Sequence, residues 1–206
     1  PLAPYAKEGI VDLRITAKAS SEEEAERMIQ PVEVMIRDMF GDQVFGQDGQ
    51  TLESVVVQLL QEKGWRVATA ESCSGGWACG QIVNCPGASQ VLEGGFVTYS
   101  NEAKQSILGV KKETLEQYGA VSEETAKEMA LGAAQALKTQ TAISITGIAG
   151  PGGGTAEKPV GTVCIGVACQ GKVWTETFQF SRNREANRRL SVVRALNMLR
   201  LAILQN

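Results

Sequence analysis

The feature that most limits how this chain can fold is an alternation between residues 51 and 206. Segments of helical period alternate there with short strand-like runs, and the chain then closes on two strand-like runs joined by a tight turn. Thr51 to Lys63 places Leu52, Val55, Val56, Leu59 and Leu60 at helical spacing and stops at Gly64, a natural C-cap. Trp65 to Thr69 reads as a strand, Gly76 to Val83 as a helix closed by Cys85-Pro86-Gly87, and Val91 to Tyr99 as a strand weakened or bulged at its two glycines. Ser100 caps a helix running to Leu108, Lys112 to Tyr118 is a short helix, and Ser122 caps another to about Lys138. Thr141 to Thr146 is a strand of the buried kind. Val160 to Cys169 and Lys172 to Phe180 form a hairpin across Gln170-Gly171, and one long helix runs from Asn183 to the end. Helices alternating with strands, then a hairpin, predict an α/β fold: a three-layer-type sandwich with a mixed β-sheet flanked by helices.

Residues 1–50 read differently and predict a small ancillary α/β domain, separate from a main domain over 51–206. Ile10 to Ala17 is a strand, Ser21 with Glu24 makes a capping box for a helix to about Phe40, and Gly41 and Gly46 to Gly49 break the chain. Five basic residues face ten acidic ones in this segment, a poor match to nucleic acid.

The whole chain has 206 residues, 43% of them apolar, and a net charge of −3. No apolar run approaches the ~20 residues of a membrane span and nothing at the start resembles a signal peptide, so neither membrane nor secretion is expected. Five cysteines without a secretory context predict reduced thiols and a cytoplasmic location. A chain opening at Pro1 rather than Met reads as a fragment or a processed product.

There is no histidine. That removes a Ser-His-Asp triad, a Cys-His dyad and most catalytic zinc sites, and leaves Lys, Tyr, Cys or a carboxylate as any base. Cys79 and Cys85 lie six apart with no histidine near them, which does not make a metal site.

Against that background one stretch stands out. Ala70-Glu-Ser-Cys-Ser-Gly-Gly76 sits between a strand and a helix, where a small hydroxyl meets the free N–H groups of a helix N-terminus. Ser72 and Ser74 are each either a nucleophile activated by a lysine or an N-cap, and Cys73 is a weaker nucleophile candidate without a His partner. Gly75 and Gly76 clear the approach of a ligand to the backbone. Tyr99 and Lys104 occupy a second strand-to-helix junction. A helix dipole lowers a lysine by less than about one pKa unit, whereas burial moves it by up to ~3–5, so a neutral Lys104 requires a site that excludes water. Thr146 opens a glycine-rich loop (Gly147, Gly150, Gly152) able to wrap an anion, and it is not a Walker A motif because Pro159 follows Lys158. Arg182, Arg184, Arg188 and Arg189 cluster at the start of the last helix.

Taken together, Ala70–Gly76, Phe96-Val-Thr-Tyr-Ser-Asn-Glu-Ala-Lys104, Gly119-Ala-Val-Ser-Glu123, and Thr146–Pro151 with Glu157–Thr162 closely resemble the CinA family. The likeness is to its C-terminal domain, the PncC-type nicotinamide mononucleotide (NMN) deamidase, and covers about residues 51–206. Residues 1–50 resemble the KH-like middle domain of the same family, which implies a truncated CinA lacking the N-terminal domain. The resemblance implies hydrolysis of the NMN carboxamide to nicotinic acid mononucleotide and ammonia, without metal or organic cofactor, in a homodimer. Its site would comprise Ser72 or Ser74 as nucleophile, Lys104 as base helped by Tyr99, the backbone N–H groups around Cys73 to Gly76 as the oxyanion hole, and Gly75 and Gly76 against the substrate. Thr146 and the Gly147–Gly154 loop would face ribose or phosphate, with Arg182 or Arg188 neutralising charge. Ser74 departs from the family's usual Thr but keeps the hydroxyl. RNA binding is not carried over to the acidic first segment. The alternative is a non-catalytic nucleotide-binding module in a competence or damage response.

Overall fold

The computed structural model describes all residues 1–206 and separates the chain into two compact units, Pro1–Gly49 and Gln50–Asn206. In the first unit β1 (Leu2–Ala6) pairs antiparallel with β2 (Val11–Ile15), and α1 (Glu22–Phe40) follows. Strand β1 was not expected, because Pro4 interrupts any alternation; a two-stranded edge accommodates a proline that a central strand would not. The capping box is also re-paired. Ser21 Oγ accepts from the Glu24 N–H at 3.2 Å, but the Glu24 carboxylate reaches the Ser20 N–H and hydroxyl at 3.0 and 2.6 Å.

The second unit is built on α2 (Leu52–Lys63), β3 (Val67–Glu71), α3 (Trp77–Val83), α4 (Ala88–Val91), β4 (Leu92–Val97), α5 (Asn101–Leu108), α6 (Lys112–Tyr118), α7 (Glu123–Leu137), β5 (Thr141–Gly147), β6 (Thr162–Cys169), β7 (Lys172–Gln179) and α8 (Arg184–Leu204). The five strands stand in the order β4-β3-β5-β6-β7, with β4, β3 and β5 parallel and β6 and β7 antiparallel. This is the mixed sheet with flanking helices. Helix α4 was not foreseen: it begins directly after Gly87, so Cys85-Pro86-Gly87 joins two helices rather than closing one onto a strand. The irregularity in β4 falls at Glu93, just before its glycines, where the register against β3 slips between Val67 and Ala68.

The two faces of the sheet are packed differently. On one face small residues, among them Ala68, Ala70, Ala142 and Ala168, meet Met129, Ala130 and Ala133 of α7. A Cβ at Gly166 would fall 2.6 Å from the Ala126 carbonyl oxygen, so the missing side chain sets how closely α7 lies on the sheet. Ile143, Ile145, Ile165 and Val167 alternate with these residues and are fully buried on the other face, which α8 covers together with α2 and α3. Burying such side chains contributes roughly 1.5–3 kcal/mol each, so the core of this unit fixes where β3 and β5 end. Both strands end side by side, with Glu71 paired to Ile145. No helix is long and apolar enough to cross a membrane.

Candidate active site

The carboxyl ends of adjacent parallel strands are where an open α/β sheet offers a crevice. Here a cavity of about 280 Å³ lies among the ends of β3 and β5, the segment after β4 and the start of α8. Ser72 follows β3 directly and is still held to the sheet by its N–H, which donates to the Ile145 carbonyl at 2.9 Å. The chain then turns back on itself as the Gly75 N–H donates to the Ser72 carbonyl at 3.1 Å. Across the cavity wall Thr98 is tied to the same strand end, its N–H donating to the Glu71 carbonyl at 2.9 Å.

Lys104, in the first turn of α5, is the largest fully buried side chain in the protein and only 1% exposed. Its amine donates to Ser72 Oγ at 3.1 Å, to the Thr98 carbonyl at 2.8 Å and to the Tyr99 carbonyl at 3.4 Å. All three partners are neutral, and no carboxylate pairs with the amine. Burial therefore holds its pKa below the ordinary lysine value, with the Cys73 sulfur pulling weakly the other way. Burial is the cause here, not the helix dipole. Tyr99 lines the cavity, but its help to Lys104 comes through its main-chain oxygen. Cys73 lines the cavity as well, and burial pushes its thiol up to about 11, which keeps it protonated near neutrality.

The two serines are separated by geometry. The Ser74 hydroxyl is fully buried without a hydrogen-bond partner and is not part of the cavity wall, whereas Ser72 is on the wall and bonded to Lys104. Gly75 and Gly76 also lie off the wall. Their φ angles of +66° and +90° explain why the turn needs glycine at both positions, independently of any ligand.

The helix N-terminus expected to face a ligand is already occupied. Glu71 is fully buried, and its carboxylate accepts from the N–H groups of Ala78 and Cys79 at 3.0 and 2.8 Å. A carboxylate at that place satisfies two orphan donors of α3 and suits the helix dipole. The N–H groups of Cys73 and Ser74, by contrast, donate to no protein acceptor.

Neither expected arginine lines the cavity. Arg182 is exposed, with its main-chain N–H on Asn187 Oδ1 at 3.2 Å. Arg188 instead grips the serine turn: Nε donates to the Cys73 carbonyl at 3.0 Å, Nη2 to the Ser74 carbonyl at 2.8 Å, and the guanidinium lies 5.0 Å from the centre of the Trp77 ring. The arginine on the wall is Arg184, which donates to the Gly150 carbonyl at 2.7 Å.

Thr146, Gly147, Gly150 and Gly152 all line the cavity. Thr146 does so with its hydroxyl spent on the Ala120 carbonyl at 2.7 Å, tying the Gly119–Glu123 segment to β5. The glycine-rich loop is braced from outside. The Ile148 N–H donates to Thr162 O at 2.8 Å, Asn187 Nδ2 to Ala149 O at 3.0 Å, and Lys158 Nζ to Tyr118 O at 2.6 Å.

Reading the sequence missed Glu71 and Asn187, and from the basic cluster it favoured Arg182 and Arg188 over Arg184. Glu71 had a signal, a charged residue closing a strand whose other members are uncharged. Asn187 had one too, an amide one turn after Asn183 on a face that becomes fully buried.

Known proteins match this chain in sequence and in fold. The family profile described as CinA C-terminal domain matches residues 49–203, and that of the damage-inducible protein CinA KH domain matches residues 1–46. A protein of Clostridium botulinum described as competence-damage inducible is 50% identical over 199 residues, covering 97% of this chain and 49% of its own length. A CinA-like protein of Kosmotoga olearia is 50% identical over 203 residues, covering 98% of this chain and 49% of its own. The chain thus spans about half the length of the curated relatives it matches. The crystal structure of the competence/damage inducible protein CihA from Agrobacterium tumefaciens superposes with a TM-score of 0.73 at 42% identity, over 79% of this chain and 99% of that one. A CinA superfamily protein from Klebsiella pneumoniae gives 0.74 at 34% identity, over 78% and 100%. With profiles matched along nearly all of its length and half of its residues shared with such relatives, the protein belongs to the CinA family.

Proposed function

We propose that the protein is an amidohydrolase that cleaves the carboxamide of nicotinamide mononucleotide to nicotinic acid mononucleotide and ammonia. The observation that carries this reading is the 3.1 Å contact between Ser72 Oγ and a buried lysine amine with no carboxylate partner. Burial makes this lysine readier to give up its proton; once neutral it keeps two N–H groups for the Thr98 and Tyr99 carbonyls and offers its lone pair to the Ser72 hydroxyl, which makes the serine an activated nucleophile.

In this mechanism Ser72 Oγ bonds to the amide carbon as its proton passes to Lys104. The carbonyl oxygen takes up negative charge and is met by the free N–H groups of Cys73 and Ser74. Collapse breaks the C–N bond, and the Lys104 ammonium gives its proton to the departing nitrogen, which leaves as ammonia. A water then attacks the Ser72 ester, with Lys104 again taking the proton, and the carboxylic acid and the serine are released. The substrate's pyridinium suits the site: a positive ring beside a neutral amine meets no like-charge repulsion, and its charge further disfavours protonation of Lys104. The loop Gly147–Gly153 and Arg184 take the ribose phosphate, since Arg184 is the cation on the wall.

Ammonia release from NMN tests the reading. The wild type is expected to turn over, and Ser72→Ala and Lys104→Met each to lose roughly 10³-fold or more in kcat, the scale seen when a nucleophile–base unit is broken. Ser74→Ala is expected to lose far less than Ser72→Ala. A Lys104→Met enzyme of undiminished turnover, or a wild type bringing NMN no closer to the acid, refutes it.

A further inference from the structure

The contacts of Arg188 set it apart from the other basic residues of α8. It does not face the cavity, yet it spends three of its surfaces on the turn that carries the nucleophile: one N–H on the Cys73 carbonyl, a second on the Ser74 carbonyl, and its plane on Trp77 at the start of α3. The helix it comes from is more than a hundred residues away along the chain, so this is a tertiary clamp and not local capping.

The consequence follows from the planarity of the peptide. In a trans peptide the C=O and N–H point in opposite directions. The chain's one cis bond is Gly150-Pro151, so the peptides of the serine turn are trans. The Ser72 carbonyl is fixed by the Gly75 N–H, which sets the direction of the Cys73 N–H on the same peptide plane. The Cys73 carbonyl is fixed by Arg188 Nε, which sets the Ser74 N–H opposite the guanidinium. Glu71 meanwhile absorbs the Ala78 and Cys79 donors, and the N–H groups of Cys73 and Ser74, the two residues that follow Ser72, donate to no main-chain carbonyl.

We infer that Arg188 is a positioning residue for the oxyanion site: by holding the Cys73 and Ser74 carbonyls it aims, and by its charge polarises, the peptide whose N–H stabilises the transition state. The inference rests on the amidohydrolase reading and deepens it. A cation on the carbonyl end draws electron density from the amide and strengthens its N–H as a donor, the cooperative effect of hydrogen bonds in series. Arg suits this place because its rigid planar fork holds separate N–H groups in fixed directions toward two carbonyls, whereas a lysine carries its donors on one rotatable ammonium. Such an interaction matters most when charge develops on the substrate oxygen, and so it acts on kcat. An arginine that bound the substrate phosphate would act on KM.

The test measures ammonia release from NMN by wild type, Arg188→Met and Arg188→Lys, with kcat, KM and the pH dependence of kcat/KM for each. Met keeps an apolar stem beside Trp77 and removes both donors; Lys restores the charge and one donor. Loss of one oxyanion donor outright costs on the order of 10²–10³-fold, so Arg188→Met is expected to lower kcat about 10- to 100-fold, with Arg188→Lys between it and wild type. KM for NMN stays within about twofold, and the acid limb of the pH profile, set by the burial of Lys104, does not move. A raised KM with kcat preserved makes Arg188 a substrate ligand and overturns the proposal. So does a shifted acid limb, which would mean that the whole site had loosened, or kinetics equal to wild type. If Arg188→Met does not fold, the same criteria apply to Arg188→Lys. A wild type without activity on NMN overturns the amidohydrolase reading itself, a result distinct from every one of these.

Discussion

The cavity is bounded by two strand-to-loop junctions that the protein holds in opposite ways. After β3 the chain makes a short turn, and charged groups fasten it from both sides: the fully buried Glu71 takes the amides of α3, and the half-buried Arg188 takes the carbonyls of Cys73 and Ser74. After β5 the chain makes a long glycine-rich loop fastened chiefly through its carbonyls, Ala149 by the neutral amide of Asn187 and Gly150 by Arg184. The first arrangement leaves no freedom to the atoms next to Ser72. The second fixes where the loop runs while keeping its glycine backbone open to the cavity. A junction that does chemistry needs orientation to a fraction of an ångström, whereas one that holds a phosphate needs a surface of N–H groups.

The largest effect belongs to the turn and is a pH dependence. Lys104 works as a base only when neutral, so kcat/KM should climb with pH along a limb of unit slope and level off at an apparent pKa below the ordinary 10.5 of lysine. Two units below that pKa the rate is down about 100-fold. Stability carries the same sign. The unfolded chain binds the Lys104 proton more tightly than the folded one, so between the folded pKa and 10.5 stability rises with pH as far as this group is concerned. A rate that falls, or stays flat, as the pH rises toward that apparent pKa removes Lys104 from the role of base.

The next effect belongs to the loop. Asn187 is fully buried, accepts the Arg182 N–H, and donates to the carbonyls of Ala149 and Arg182. Asn187→Ala leaves those groups unsatisfied in the interior, at a cost of about 1–3 kcal/mol in unfolding free energy. If the loop holds the substrate and does not take part in the chemistry, KM for NMN rises roughly tenfold while kcat changes little. Urea unfolding and steady-state kinetics together check this. A collapse of kcat at constant KM would place the loop with the turn, and the contrast between the junctions would disappear.

How much of this was legible in the sequence follows the same division. Helix α6 was read to the residue, and Ser100 and Ser122 were found as caps, because capping is local and depends on a side chain three residues from the amide it accepts. The mixed sheet was legible from the alternation. The short α4 and the proline-bearing β1 were not, since both are fixed by their partners and not by propensity. In the site, Ser72, Lys104, Tyr99 and Thr146 come together from motifs that name them. Arg184, read only as one of a basic cluster, takes the place on the wall expected of Arg182 or Arg188, and Arg188 meets the turn instead. Arginines four apart share a helix face, and nothing in the spacing says which of them meets the cavity and which the turn. That depends on how α8 rotates against the sheet, which is a property of packing.

The smallest effect is expected at Cys73, and it bears on the turn because the thiol lines the same cavity as Ser72. Burial pushes this thiol up to about 11, with its own main-chain N–H and the Arg188 guanidinium only partly offsetting it. At pH 8 that leaves roughly one thiolate in a thousand, too little for the thiol to compete as a nucleophile. Cys73→Ala removes a small apolar group and one weak donor while keeping the main-chain N–H that faces the oxyanion. Its kcat on NMN is therefore expected to stay within about threefold of wild type, and iodoacetamide at pH 8 should leave the wild type active. If Cys73→Ala were as inactive as Ser72→Ala, and alkylation abolished turnover, the thiol would be the attacking group. The clamp made by Glu71 and Arg188 would then serve the residue after Ser72, with Lys104 and the Ser72 hydroxyl reduced to relaying its proton.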